Sequence, residues 1–489
     1  MNGYLHLPWL ELSIACPIIA AIVCWRVKNE SLARNIALIA CLLTFLLTFG
    51  EWFDFMTLET FSAQDSNSVV FFLFGTEYFV IDELTAPLLF RVALLFGLTI
   101  AATMRSKASR FSVVRTLLAE AIILAVLSCS STMLLCLLLA FSTILPWYEM
   151  RLRGHDTSVF SLCMSLHLGL MFVGITLLWL GHGQPLPTNL GAGLLVLSAM
   201  LRAGIFPGHF WIVDLFEKCT FGTAILFVAP MTGAYFVMRL VLPVVPIWAL
   251  HWIAVLSLST ALYAAAMALV QSEARRFFAY LFISQSSLVL AGLELANPIG
   301  MTGALCIWLE IGLSLGGLAL TLRAVESRIG RISLEQYHGL FDQMPHLGSL
   351  FLFTGLASIG FPGGLAFVGM ELLVEGTVEV YPLVGTIIVL ATAINGVALL
   401  RAYFRIFTGT RHVATVSIAA RPAERLVTIT LSLLILAIGI WPGSAIHSRY
   451  HAAESLLKIR QESGIDRGSE SSEPVSHPPS DKSKNSANH

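Results

Sequence analysis

The stretch "LRAGIFPGHFW" (Leu201–Trp211) ends a long apolar run on a charged arginine and then interrupts it with glycine and proline. Glycine and proline disfavour helix interiors, proline by about 3 kcal/mol, so the run reads as a helix broken by Gly204 and Pro207. Arg202 stands beside that break. A permanently charged side chain in an apolar run must find a partner or reach water.

Outward from this stretch the chain stays apolar. Of its 489 residues 56% are hydrophobic and 12% charged, with a mean hydropathy of +0.80. Soluble domains carry about 25% charged residues. Runs long enough to cross hydrocarbon, roughly 17–25 residues, recur from Leu10 to Ile446. The reading is an all-α polytopic membrane protein of about fourteen transmembrane helices, at 8–26, 34–50, 83–104, 112–128, 131–149, 158–181, 189–206, 221–243, 247–270, 277–295, 299–323, 346–374, 382–407 and 425–446. The first lacks a basic leader and an A-x-A-like site, and is expected to be a retained helix rather than a signal peptide.

Basic residues cluster in alternate connections: Arg26, Lys28 and Arg34; Arg105, Lys107 and Arg110; Arg151 and Arg153; Arg275 and Arg276; Arg323, Arg328 and Arg331; Arg405, Arg411 and Arg421. The loops around 51–82, 182–188, 244–249, 296–298 and 375–381 carry none. The positive-inside rule makes the first set cytoplasmic, and an even span count places both termini outside. The scattered cysteines read as buried hydrophobes. A net charge of −1 leaves no basic footprint for nucleic acid. No P-loop and no His/Cys cluster with metal spacing stands out, so redox or nucleotide chemistry is assigned to partners.

The chain divides into spans one to three (1–110), a five-helix unit at 111–245, a second at 246–410, a last span and its end at 411–461, and a disordered tail at 462–489 rich in Ser and Pro. The 51–82 loop ends in "SVVFFLFGTEYFVID", expected to form a hairpin around Gly75–Thr76. The twelfth span repeats the motif of the seventh, with "FPGG" (Phe361–Gly364) inside it. Interrupted helices at matching places in two halves point to an inverted-repeat transporter, here spans 4–8 and 9–13, with helices 7 and 12 discontinuous.

"FPGHFWIVDLFEKCTFGTAIL" (206–226) resembles the FP-x-H-x-W-L-P-D-A-H signature of the antiporter-like subunits of respiratory complex I and of Mrp-type cation/proton antiporters, through Pro207, His209, Trp211, Asp214 and Glu217. "YFVIDELTAPLLF" (78–90), "SEARRFFAYLFISQSSLVLAGL" (272–293), "GLSLGGLAL" (312–320), "GLFDQMPHLGSLFLFTGLASIGFPGGLAFVGMELL" (339–373) and "LLRAYFRIFTG" (399–409) fit the same family in order, closest to its subunit-M-like branch. The resemblance implies fourteen helices with two inverted repeats, and a file of buried charges that passes protons near mid-membrane. It implies other membrane subunits as partners, with protons or monovalent cations as cargo. NADH, quinone, flavin and iron–sulfur centres would lie only in those partners, and no catalytic centre in this chain. It also implies a bacterial inner membrane.

Several of the family's charged positions differ. The span-five acid, five residues before Pro146, is Phe141; the span-eight lysine falls at Met231; the span-eleven histidine is Ile311, beside Glu310; the span-twelve acid is Met370, beside Glu371; the span-seven lysine is Arg202. Buried lysine can release its proton, whereas arginine in effect cannot. Arg202 is therefore expected to be a fixed charge, with Glu310 and Glu371 completing an altered path. Gly204, Pro207, His209, Trp211, Asp214, Glu217, Pro362 and Gly363 are expected to form the broken helices and the access to them. Arg91 and Glu120, inside spans three and four, read as a buried pair. Two rival readings are a non-conducting scaffold in such a complex, and the proton-conducting partner of an inorganic-carbon uptake system.

Overall fold

The structure is a computed structural model and describes residues 3–58, 60–66, 68, 70, 72, 75–103, 111–181, 185–378, 381–410 and 421–462. Arg105, Lys107, Arg110 and Arg411, like the tail beyond residue 462, lie outside the described residues. Helix occupies all fourteen apolar segments. The helices are α1 (Trp9–Arg26), α2 (Glu30–Thr57), α3 (Ala86–Ala101), α4 (Val113–Ser128), α5 (Thr132–Leu152), α6 (Ser158–Gly181), α7 (Pro185–Ala203), α8 (Phe210–Lys218), α9 (Phe221–Val228) and α10 (Thr232–Phe236), continued by a π-turn at Val237–Val241. Then come α11 (Ile247–Val270), α12 (Ala274–Glu294), α13 (Pro298–Ile329), α14 (Pro345–Ser358), α15 (Leu365–Val378), α16 (Pro382–Phe407), α17 (Pro422–Ile440) and α18 (Pro442–Glu462). Eleven helical segments among the described residues are long and apolar enough to cross a membrane, with α3 a shorter apolar helix.

Two helices form the axis. Every residue of α12 from Phe277 to Glu294 is buried, and so is every residue of α13 from Gly300 to Leu322. α11 packs along α12, and α13 touches α3, α12, α14, α15, α17 and α18. By contrast α1, α2, α6 and α16 leave large apolar side chains such as Ile19, Leu42, Leu162 and Val389 exposed, the surface that lipid would cover. The axis is closed by small residues: a Cβ added at Gly303 of α13 would stand 2.5 Å from the Gly369 carbonyl of α15. Without a hydrophobic drive between helices in lipid, such backbone contact is what holds them together.

The expected hairpin around Gly75–Thr76 lies in part outside the described residues. Among those described, a small sheet pairs Ser62–Asp65 with Ile81–Asp82 antiparallel and with Gly3–Leu5 parallel. Asp65 accepts the Leu10 and Glu11 amides at 3.3 and 3.0 Å, fixing strand and α1 start together. The segment after residue 446, which had no helical assignment, is α18. Its Arg449 is buried and donates to the Glu83 and Leu84 carbonyls, and Arg460 donates to those of Leu242 and Val245 at 2.6 and 2.8 Å. α18 therefore clamps the starts of α3 and the end of the π-turn at the end of the bundle away from the arginine-rich loops. Arg449→Met removes a charged donor to these carbonyls, a loss of about 2–3 kcal/mol. A thermal unfolding scan is expected to show a lower Tm by a few degrees, whereas Lys458→Met, on the exposed side, leaves it unchanged.

Candidate functional site

The break in the seventh span is built as its sequence reads. α7 ends at Ala203, Gly204 takes φ +75°, and the Phe206–Pro207 peptide is cis before α8 begins at Phe210. A side chain at Gly204 would need both a left-handed backbone and the space of Ile212 Cδ1, 2.3 Å from its Cβ position. The freed groups are satisfied locally: Trp211 Nε1 donates to the Leu201 carbonyl at 2.8 Å, and the Phe206 amide donates to Thr260 Oγ1 at 3.1 Å. Trp211 is thus a splint across the gap.

Arg202 is 3% exposed. One Nη donates to Thr232 Oγ1 at 2.7 Å, and the guanidinium carbon lies 4.3 Å from the Phe227 ring centre and 5.6 Å from that of Trp211. Its Nε has no partner. Among the described residues no carboxylate forms an ion pair with it. His167 of α6 lies fully buried nearby, its Nδ1 against Ser198 and its Nε2 unpartnered. This histidine had no place in the sequence reading.

The eighth span holds a third break, which the sequence reading missed. α9 stops at Val228, Met231 adopts φ +52°, and α10 restarts at Thr232. The signal was present in Pro230 and Gly233 of "VAPMTG": proline removes a donor and leaves a carbonyl unpaired. Arg91 of α3 reaches into this break, donating to the Ala229 carbonyl at 3.5 Å and to the Trp308 carbonyl of α13. The expected Arg91–Glu120 pair is therefore corrected. Glu120 faces α2 instead, where Cys41 Sγ donates to it at 3.1 Å.

In the twelfth span α14 ends at Ser358 and α15 starts at Leu365, with Gly360 at φ +81° and Gly363 at φ +108° between them. Glu310 of α13 is fully buried and faces this gap: a Cβ at Gly364 would lie 3.1 Å from its Oε1. Its carboxylate has no side-chain hydrogen-bond partner among the described residues, and the group that addresses it is the backbone amide of Leu365 at the start of α15. Pro362 and Gly363 are exposed at the gap itself. Glu371 does not join this group. It is exposed on α15, on the surface of this chain rather than at the axis with Glu310.

A run of polar residues lies on the axis. Ser284, Gln285, Ser286 and Ser287 follow one another in wholly buried α12. Asn395 of α16 donates to Ser284 Oγ at 2.8 Å, while both side-chain polar atoms of Gln285 are unpartnered. Ser286 lines a cavity of about 20 Å³ shared with Arg202, Trp211, Phe227 and Thr232. Further along α12, buried Glu294 accepts from Ser257 Oγ at 2.7 Å. The run "SQSS" inside an apolar span was the readable signal for this band.

At the arginine-rich end the expected access residues are held by ions. Asp214 pairs with Lys218 at 2.6 Å and Glu217 with Arg276 at 3.2 Å. Arg275 is bidentate on Glu326 and donates to the Phe216 and Cys219 carbonyls, pinning the end of α8. They border an open cavity of about 300 Å³ lined by Arg153, Lys218, Arg275, Arg323 and Glu326. His209 is buried among the rings of Phe206, Phe210, Tyr263 and Tyr280, with both nitrogens unpartnered. Phe141, at the position of the missing acid, is 54% exposed, and its neighbour Ser142 is the inward residue. No group of three or more metal-ligating side chains occurs among the described residues.

The family described as NADH:quinone oxidoreductase/Mrp antiporter, transmembrane, matches residues 89–395. NADH-quinone oxidoreductase subunit M of Mycobacterium tuberculosis is 27% identical over 263 residues, 53% of this chain and 48% of that protein, so the match spans about half the length of the relative. A chain of respiratory complex I from Thermus thermophilus superposes with a TM-score of 0.79 at 20% identity, covering 92% of this chain and 99% of that one. A chain of the Mrp complex from Dietzia sp. gives 0.78 at 17% identity, covering 93% and 98%. These two likenesses are of fold.

Proposed function

Since the chain belongs to the NADH:quinone oxidoreductase/Mrp antiporter transmembrane family, we propose that it is a membrane subunit of a complex I-like or Mrp-like assembly. It contributes to proton or cation translocation coupled to a partner's reaction, along an altered path. The observation that carries this reading is Glu310: a carboxyl buried at the axis, with no side-chain hydrogen bond or ion pair among the described residues, aimed at the gap of a broken helix, where the Leu365 amide faces it. A charge buried alone costs several kcal/mol, so a carboxyl at this place suits a group that takes up and hands on a proton. That is the behaviour of a stepping stone. Arg202 is a fixed charge beside the other gap, and Thr232, Ser286, Gln285, Ser284 and Asn395 are the polar groups of the proposed path.

The two half-sets, spans 4–8 and 9–13, are read as inverted repeats on the strength of the paired breaks at Gly204–Pro207 and Gly360–Gly364. The arginine-rich loops are read as cytoplasmic and the termini as external, in a bacterial inner membrane, with NADH, quinone and metal centres confined to partner subunits. The test uses the assembly purified through this chain and reconstituted in vesicles with a pH-sensitive dye. Glu310→Gln is expected to lower coupled flux by about 10²-fold and Glu371→Gln to leave it intact. Equal flux in both variants and the parent would instead make the chain a scaffold.

A further inference from the structure

Arg202 presents a physical problem that its neighbours do not solve. The guanidinium stays protonated under all ordinary conditions, it is 3% exposed, and among the described residues no carboxylate pairs with it. One hydroxyl and two aromatic faces offset part of the cost, but they carry no net charge. A buried cation is normally paired. Its Nε is left without a partner, and beside it lies the cavity of about 20 Å³ bounded by Trp211, Phe227, Thr232 and Ser286. Thr232 Oγ1 accepts from the arginine, so its own O–H remains to be donated.

We propose that this cavity is a binding site for one chloride-sized monovalent anion, which supplies Arg202 with the counter-charge that no side chain provides. The size fits: a cavity needs about 10–15 Å³ to admit one water, and a halide is only slightly larger. The same size excludes phosphate, sulfate and bicarbonate. The chemistry fits as well, since the lining offers the Arg202 guanidinium and the Thr232 O–H as donors, and no acidic side chain lines the space. The proposal rests on the reading of Arg202 as a fixed charge in a transport path. It adds that the ion pair around the first break is completed from solution rather than by the protein.

The experiment uses the purified full chain in its assembly, exchanged from chloride into gluconate and titrated with chloride, bromide or sulfate while Tm is followed. Chloride and bromide are expected to raise Tm saturably and sulfate to have no effect beyond ionic strength. Crystals in bromide are expected to show one anomalous peak beside the Arg202 guanidinium. Arg202→Met is expected to lose both signals. Because that variant could unfold, Thr232→Val, which keeps the cation and removes the hydroxyl donor, is the second arm, with a halide midpoint about tenfold higher. No halide-specific shift, or a water with no anomalous signal at that place, overturns the inference. Flux measured on the same vesicles separates the two claims: halide binding with no Glu310-dependent flux sinks only the proposed function, and flux without halide binding sinks only the anion site.

Discussion

Glu310→Gln is expected to lower coupled translocation by about 10²-fold, the scale on which loss of a proton-transferring group is felt, with assembly unchanged. Glutamine matches glutamate in volume and shape, so the wholly buried α13 keeps its packing. It also suits the site electrostatically, because Glu310 has no ion pair to lose. What it removes is the exchangeable proton. Glu310→Asp separates chemistry from packing: it retains the proton but withdraws it from the Gly364 gap by one methylene, and an intermediate flux is expected. Proton uptake by reconstituted vesicles, compared at equal subunit content on a gel, is the measurement. Full flux in the glutamine variant would remove Glu310 from the path.

The largest effect on folding is expected at Gly303. Its Cβ position lies 2.5 Å from both the Gly369 carbonyl and the Leu373 amide, and neither backbone group can swing aside as a side chain could. Valine there must push α15 off α13. Overpacking costs about 1–3 kcal/mol in ordinary cores, and helix contacts in lipid have no hydrophobic term to fall back on. Gly303→Val is expected to collapse the monodisperse peak in size-exclusion chromatography and to lower Tm well beyond the Arg449→Met effect. Gly169→Val, on α6 with nothing within 4 Å of its Cβ position, is the matched control and is expected to be near neutral. If both variants behave alike, the tight α13–α15 contact does not hold the second break in place.

The class of protein, its helical segments and two of its three breaks were readable from sequence, because hydropathy and the Gly/Pro punctuation are local properties. The third break was legible in principle at Pro230, but one proline in an apolar run does not announce where the chain will bend. The buried charges divide in an instructive way. Glu310 and Glu371 each stand one residue from the position the family uses, and one residue turns a helix by about 100°. On α13, buried all round, any phase points inward, so Glu310 stays at the axis. On α15 only one face is buried, so Glu371 is carried outside. The same rotation turns Phe141 out and Ser142 in.

Sequence by itself therefore determined the membrane class, the family, the breaks around Gly204–Pro207 and Gly360–Gly364, and the replacement of a titratable lysine by fixed Arg202. Those follow from residue chemistry and spacing along the chain. Only the tertiary structure decided that Arg91 serves the Ala229 carbonyl rather than Glu120, that Arg202 pairs with no carboxylate among the described residues, and that "SQSS" lies wholly buried on the axis. It also decided that 442–462 is a clamp. Each of these depends on which face of a helix meets which neighbour, and that is fixed by packing across residues hundreds of positions apart.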